Sequence, residues 1–202
     1  YASALLVLAR TEQHSEDYEQ AMKYARQLQK IQPDEYMAYE LIGDVSMLVK
    51  DYPQASEAYK QAVAIKPGAE MVIKQSESLM RLSRTGEAKD VLRSWLNAHP
   101  DDARINEFLG NAYLANGENA EAIQAFETVY KKQPDNVVAL NNLAWLYYVQ
   151  GKNLDKAESL VLRAMQLNPS KSDIYKDTLE KIRELKNPHR YLSWPSLSQR
   201  LG

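Results

Sequence analysis

The 202-residue chain contains no cysteine. That absence excludes a disulfide framework and thiolate metal sites, and it fits a reducing or an oxidising compartment equally well. Histidine is scarce: His14, His99 and His189 are far apart, and none has a second ligand at metal spacing. His99 precedes Pro100 at an expected helix end, where a cation complements the helix dipole at the surface. No stretch reaches the roughly 18 consecutive apolar residues a membrane-spanning helix needs. A net charge of −2 leaves neither a basic footprint for nucleic acid nor a strong steering field. The seven glycines form no phosphate loop, since Gly151-Lys152 follows a helical stretch, lacks the upstream glycine and reads as a turn. Carboxylates are plentiful but lie on helix faces of alternating sign, as solvated surface does. No nucleophile is paired with a base. We therefore expect a non-enzyme with no catalytic residue, no metal and no cofactor.

What the chain does have is a period. Pro33, Pro67, Pro100, Pro134 and Pro169 are 34, 33, 34 and 35 residues apart. Twelve residues before each stands alanine: Ala21, Ala55, Ala88, Ala122 and Ala157. Eight before each the residues are mostly bulky: Ala25, Tyr59, Leu92, Phe126 and Val161. Small residues recur earlier still, at Ala9, Gly43, Ser76, Gly110 and Ala144. Small side chains let paired helices approach, and bulky ones fill the space beside them. The stretch from Asn106 to Pro134 shows the unit most plainly, with Gly110 and Ala122 at the contact, Tyr113 and Phe126 one turn away, and Gly117 between.

A period near 34 built from two helices identifies the chain as a member of the tetratricopeptide repeat (TPR) family. The TPLHxA signature of the ankyrin repeat, whose period is similar, is absent. The resemblance implies an all-α fold, a right-handed superhelix (α-solenoid) of about five hairpins with a C-terminal capping helix. We expect one array over 1–186, with hairpins near 1–33, 34–67, 68–100, 101–134 and 135–169, a cap at 171–186 and an irregular tail at 187–202. Asp34, Asp101, Asp135 and Ser170 follow the prolines as expected N-caps, and Gly68 is a weaker one. The third hairpin is one residue short and carries Gln75, Ser76 and Ser78 where apolar or small residues are usual. The helix VVALNNLAWLYYVQG is apolar nearly all round, which calls for burial on several sides or an exposed apolar stripe. The chain opens at Tyr1 inside a helix-like stretch and is expected to be a fragment of a longer protein.

In TPR proteins the first helix of each hairpin lines a concave groove. Carried onto this sequence, the lining comprises Met37, Glu40, Asp44 and Met47, then Met71 and Lys74, then Arg104, Glu107, Phe108 and Asn111, and finally Val138, Asn141, Asn142, Trp145 and Tyr148. The partner-binding residues expected are Arg104, Phe108, Asn111, Asn141, Asn142, Trp145, Tyr148, Met47 and Met71. Aromatics offer contact area and asparagines can grip a peptide backbone. TPR domains that clamp a chaperone's C-terminal carboxylate use lysines, an arginine and asparagines. Here Asn111 and Asn142 fit, but Glu107, Asp173 and Asp177 reverse the charge, which argues against such a clamp.

Two phrases, SWLNAHPDDARINEFLGNAYLANG and QPDNVVALNNLAWLYYVQGKNLDKAESLVLRAMQLNP, narrow the likeness. Over about residues 86–180 the chain resembles the bacterial TPR-repeat lipoprotein of PEP-CTERM/exosortase and exopolysaccharide gene sets. That resemblance implies a periplasmic or extracytoplasmic scaffold, lipid-anchored through a segment upstream. The expected function is a protein–protein interaction scaffold that binds a partner segment in its groove. Two alternatives stand beside it: a regulatory arm of a larger enzyme or polysaccharide exporter, and a self-assembling module whose tail LSWPSLSQRLG docks on another copy to give a homo-oligomer.

Overall fold

A computed structural model describes residues 1–187 of the chain, so the tail beyond them lies outside the described residues. Helices follow one another in pairs. The first members are α1 (Ala2–His14), α3 (Tyr36–Leu48), α5 (Ala69–Arg81), α7 (Ala103–Ala115) and α9 (Val137–Gln150). Their partners are α2 (Tyr18–Ile31), α4 (Tyr52–Ile65), α6 (Thr85–Ala98), α8 (Asn119–Lys132) and α10 (Leu154–Leu167). A 3-10 turn at Pro169–Lys171 leads into α11 (Ser172–Lys186). The fold is all-α, with no strand among the described residues.

The residues divide into two compact units, Tyr1–Ile105 and Asn106–Gly202, with the division falling inside α7. In the first unit, Leu5, Ala9, Ala25, Leu28, Ala38, Leu41, Ile42 and Ala58 form one buried cluster. A second cluster joins Ala55, Tyr59, Ala62 and Met71. In the second unit Leu109, Tyr113, Phe126, Val129, Leu140, Leu143, Tyr147, Val161 and Ile182 are buried. Full burial of each such large side chain contributes roughly 2–3 kcal/mol.

The recurrent small residue has a steric cause. A Cβ built on Gly43 would lie 2.5 Å from Cε1 of Tyr59, and one on Gly110 would lie 3.0 Å from Cζ of Phe126. The hairpins exchange volume across this contact: where the first helix has glycine the second has an aromatic ring, and where it has Ala9 the second has Ala25. The αL position in the turn is also recurrent, at Glu16, Lys50, Ser83, Gly117 and Gly151, and glycine fills only the last two. Three other side chains tolerate positive φ there, so glycine marks the turn incompletely.

Two details differ from expectation. The N-caps lie one residue later: Glu35 accepts from Met37, Asp102 from Arg104 and Ile105, and Asn136 from Ala139. Asp34, Asp101 and Asp135 belong to the turn that follows each proline; Asp135 bonds Arg163 instead. Ser170 sits in the 3-10 turn, and Lys171 precedes α11 without a side-chain cap. Gly68 does stand at the N-cap of α5 and offers no side-chain bond. In the third hairpin Ser76 is buried, and its hydroxyl donates to the Ala88 carbonyl at 2.8 Å, so the polar residue is satisfied within the helix pair.

Candidate functional site

In the second unit the site is built on α9, with α7 and α11 beside it. Asn142 donates through Nδ2 to Oδ1 of Asn111 on α7 at 3.1 Å. One turn along α9, Trp145 and Tyr148 pack with ring centroids 5.3 Å apart and planes tilted by 43°. From α11, the Lys181 ammonium lies 5.2 Å from the Trp145 ring centre, within cation–π range. Lys181 also donates to Asp177 at 2.7 Å, and that bond holds its pKa above the ordinary lysine value. It remains a cation at neutral pH.

Asn141, Asn142, Trp145 and Tyr148 are all half-buried, so the face is partly open to solvent. Asn141 carries an Oδ1 that is shielded from water and has no hydrogen-bond partner among the described residues. An acceptor in that state goes without its compensating hydrogen bond, a local cost to the fold. On α7, Phe108 is half-buried one turn before Asn111, which is exposed. Glu107 accepts from Nδ2 of Asn136 at 2.7 Å, tying the start of α9 to α7. Behind this face the Tyr147 hydroxyl donates to Glu127 at 2.5 Å and accepts from Lys156 at 3.0 Å. Burial, then the bond to Glu127, raises the Tyr147 phenol above its ordinary pKa. That network fixes the back of α9 against α8 and α10.

The first unit presents the corresponding face differently. Lys74 on α5 donates to Glu40 and to Asp44 on α3, both at 2.9 Å. Tyr59 donates its hydroxyl to the same Asp44 oxygen at 2.7 Å. Burial, reinforced by Asp44, pushes the Tyr59 phenol far above its ordinary pKa. Burial works against the Lys74 charge, but the hydrogen bonds and charges of Glu40 and Asp44 outweigh it and raise the ammonium pKa. The face is internally satisfied.

The remaining expected residues fall in this unit. Met71 is only 6% exposed and packs with Ala55, Tyr59 and Ala62, so it is core and not groove lining. The short loop before Ala69 turns α5 so that Met71 points inward and Lys74 outward. Met47 is half-buried against the same cluster, and Arg104 is exposed. Lys181 is the contributor that sequence reasoning missed; its only signal is the spacing of four from Asp177, which puts both on one face of α11.

The comparisons with known proteins agree with this architecture. The chain matches the tetratricopeptide repeat family over residues 6–70, 73–137 and 109–172, and it belongs to that family. Among solved structures, MamA 41-end from Desulfovibrio magneticus RS-1 superposes with a TM-score of 0.67 at 18% identity, covering 84% of this chain and 96% of that one. PilW, titled a widely conserved type IV pilus biogenesis factor, gives 0.64 at 19% identity over 100% of this chain and 98% of its own. YrrB, titled a TPR protein with an unusual peptide-binding site, gives 0.63 at 16% identity over 93% and 92%. At these identities the likeness is one of fold. A curated relative, small glutamine-rich tetratricopeptide repeat-containing protein 2 of Mycosarcoma maydis, is 25% identical over 103 residues. That match spans 50% of this chain and 29% of the relative.

Proposed function

We propose that the chain is a non-catalytic interaction scaffold that binds an extended protein segment across the α7–α9–α11 face. The observation that carries the reading is the half-open Trp145–Tyr148 pair on α9 beside the Asn142–Asn111 amide pair, of which Asn111 is exposed. An amide row beside aromatic rings suits a peptide: the asparagines meet its backbone and the rings take an apolar or cationic side chain. Membership of a family of protein-interaction repeats supports the same reading. The titled peptide-binding site of YrrB is a parallel within the fold. No helix among the described residues is long and apolar enough to cross a membrane.

The finer assignment to envelope or exopolysaccharide assembly, in a bacterial extracytoplasmic compartment, rests on the two phrases quoted above. It belongs to this proposal, as does the alternative of an arm on a larger protein. Selection of a random dodecapeptide display library against the chain tests the scaffold reading. Enriched peptides should lose at least tenfold in affinity on an Asn142→Ala, Trp145→Ala variant whose helicity is unchanged. Peptides that bind the variant equally well would move recognition off this face.

A further inference from the structure

A second surface lies on α1. Leu5 and Ala9 bury one side of this helix in the core of the first unit. The other side carries Ala4, Val7, Leu8 and Thr11, at the spacing of a single helical stripe, and all four are exposed. Val7 is 63% and Leu8 40% exposed. No residue of the stripe is charged, and Thr11 donates its hydroxyl to the Val7 carbonyl at 3.0 Å. A helix face left to water is ordinarily polar. The exposed residues of α11 follow that rule and are mostly charged, Asp173, Lys176, Asp177, Glu180, Arg183 and Glu184 among them. The outer stripe of α1 does not.

The repeat itself displays what meets such a stripe. One repeat further on, the places of Ala4, Leu8 and Thr11 are taken by Ala38, Ile42 and Val45 of α3, and in α9 by Ala139, Leu143 and Leu146. All six are buried, as are the matching places of α5 and α7. Val7 corresponds to Leu41, which is 2% exposed. The cover on α3 comes from the helix pair before it: Met22, Tyr24, Ala25 and Leu28 of α2 pack in one cluster with Ala38, Leu41 and Ile42. α4 likewise packs on α5, and α8 on α9. Where first helices bond to one another the contact is polar, from Lys74 to Glu40 and Asp44 and from Asn142 to Asn111. An apolar stripe at this register is therefore matched by a helix of the second kind.

We propose that the outer stripe of α1 docks an amphipathic helix of a partner protein, on a surface separate from the α9 face. The partner helix carries small and bulky apolar residues along one side, at the spacing of Met22, Ala25 and Leu28 in α2. Its small residues let the two helices approach, and its bulky ones fill the space beside Val7 and Leu8. Removal of that apolar area from water drives the association, as it does for helices laid on apolar surfaces generally. A folded second copy does not supply such a helix, because the apolar sides of α2, α4, α8 and α10 are already buried within it.

The probe is a peptide of α2 itself, Asp17 to Gln32, labelled with fluorescein and held helical by a lactam between Glu19 and Lys23, both exposed. Its anisotropy is read on the whole chain. Binding at least tenfold tighter than that of an Ala25→Asp, Leu28→Asp peptide is expected. A Val7→Lys, Leu8→Glu variant of unchanged helicity should bind the α2 peptide at least tenfold more weakly. The Asn142→Ala, Trp145→Ala variant should bind it as the wild type does. No binding, equal binding of both peptides, or binding indifferent to the α1 substitutions would overturn the proposal. So would a dimer of the free chain in light scattering that the α1 substitutions break, since the stripe would then belong to a second copy. Loss of binding in the α9 variant alone would assign the peptide to the other face and overturn it equally, without touching the scaffold reading.

Discussion

The two units place the same helix positions in contact and fill them with opposite chemistry. Asp44 and Asn111 are both the ninth residue of their helices, α3 and α7. Lys74 and Asn142 are both the sixth, of α5 and α9. In the first unit the contact is an ammonium between two carboxylates, with Tyr59 completing the acceptor side. In the second it is one amide-to-amide bond at 3.1 Å, with Asn141 Oδ1 unused nearby. Charge satisfied within the fold offers a partner little, whereas amides with spare capacity offer it hydrogen bonds. The repeat supplies the geometry, and the residue at each repeated place decides whether that geometry is structural or open.

The largest effect should come at the close approach that each unit makes, within itself, between a first-helix glycine and a second-helix ring. Gly43→Ala must push the Tyr59 ring away from a Cβ at 2.5 Å, whereas Gly110→Ala meets Phe126 at 3.0 Å. Overpacking of this kind costs about 1–3 kcal/mol, partly offset by about 1 kcal/mol of helix propensity. Gly43→Ala is therefore expected to be destabilising by about 2 kcal/mol in a urea melt, and Gly110→Ala to be close to neutral.

Next comes the ion-pair ladder. Lys74→Met leaves Glu40 and Asp44, with side chains 16% and 25% exposed, to repel each other beside Tyr59. The cost should be about 2 kcal/mol. Hydrogen exchange should show the loss of protection in α3 to α5. Asn142→Ala removes a neutral bond at a half-open face and should cost under about 0.5 kcal/mol.

A pH series sharpens the same contrast. Lys74 and Tyr59 both have folded pKa values raised above the unfolded ones. For each, the folded state holds its proton longer, so the associated stability is complete below the unfolded pKa near 10 and is lost as pH rises beyond it. Exchange protection of α3 to α5 should fall progressively as pH rises above about 10. A Lys74→Met, Tyr59→Phe double variant should flatten that fall.

Much of the fold was legible in the chain because helix contact demands small residues at fixed places. The prolines, the five alanines and the Gly43 and Gly110 positions report that demand directly. The turn was less legible, since Glu16, Lys50 and Ser83 adopt αL geometry without glycine. The caps after Pro33, Pro100 and Pro134 lie one residue late because a further turn residue follows each of those prolines before helix begins, whereas Gly68 caps α5 directly after Pro67. Met71 was misplaced for a related reason: one missing residue before α5 rotates a whole helix face, and residue type alone does not reveal the rotation. Glu40, Asp44 and Lys74 were identifiable as surface of the first helices, but their mutual pairing, 34 and 30 residues apart, depends on how α3 and α5 dock. Lys181 over Trp145 is equally a product of docking between α9 and α11.

The central claim is that recognition belongs to the neutral α9 face and not to the charged α3–α5 face. Amide and indole NMR shifts test it most directly, because Trp145 Nε1 and the side-chain amides of Asn111, Asn141 and Asn142 all give resolvable N–H signals. Titration with a peptide selected on the wild-type chain should move those signals and leave the backbone amides around Glu40, Asp44 and Lys74 unchanged. Shifts concentrated at Glu40, Asp44 and Lys74, with Trp145 and the asparagines still, would contradict the account.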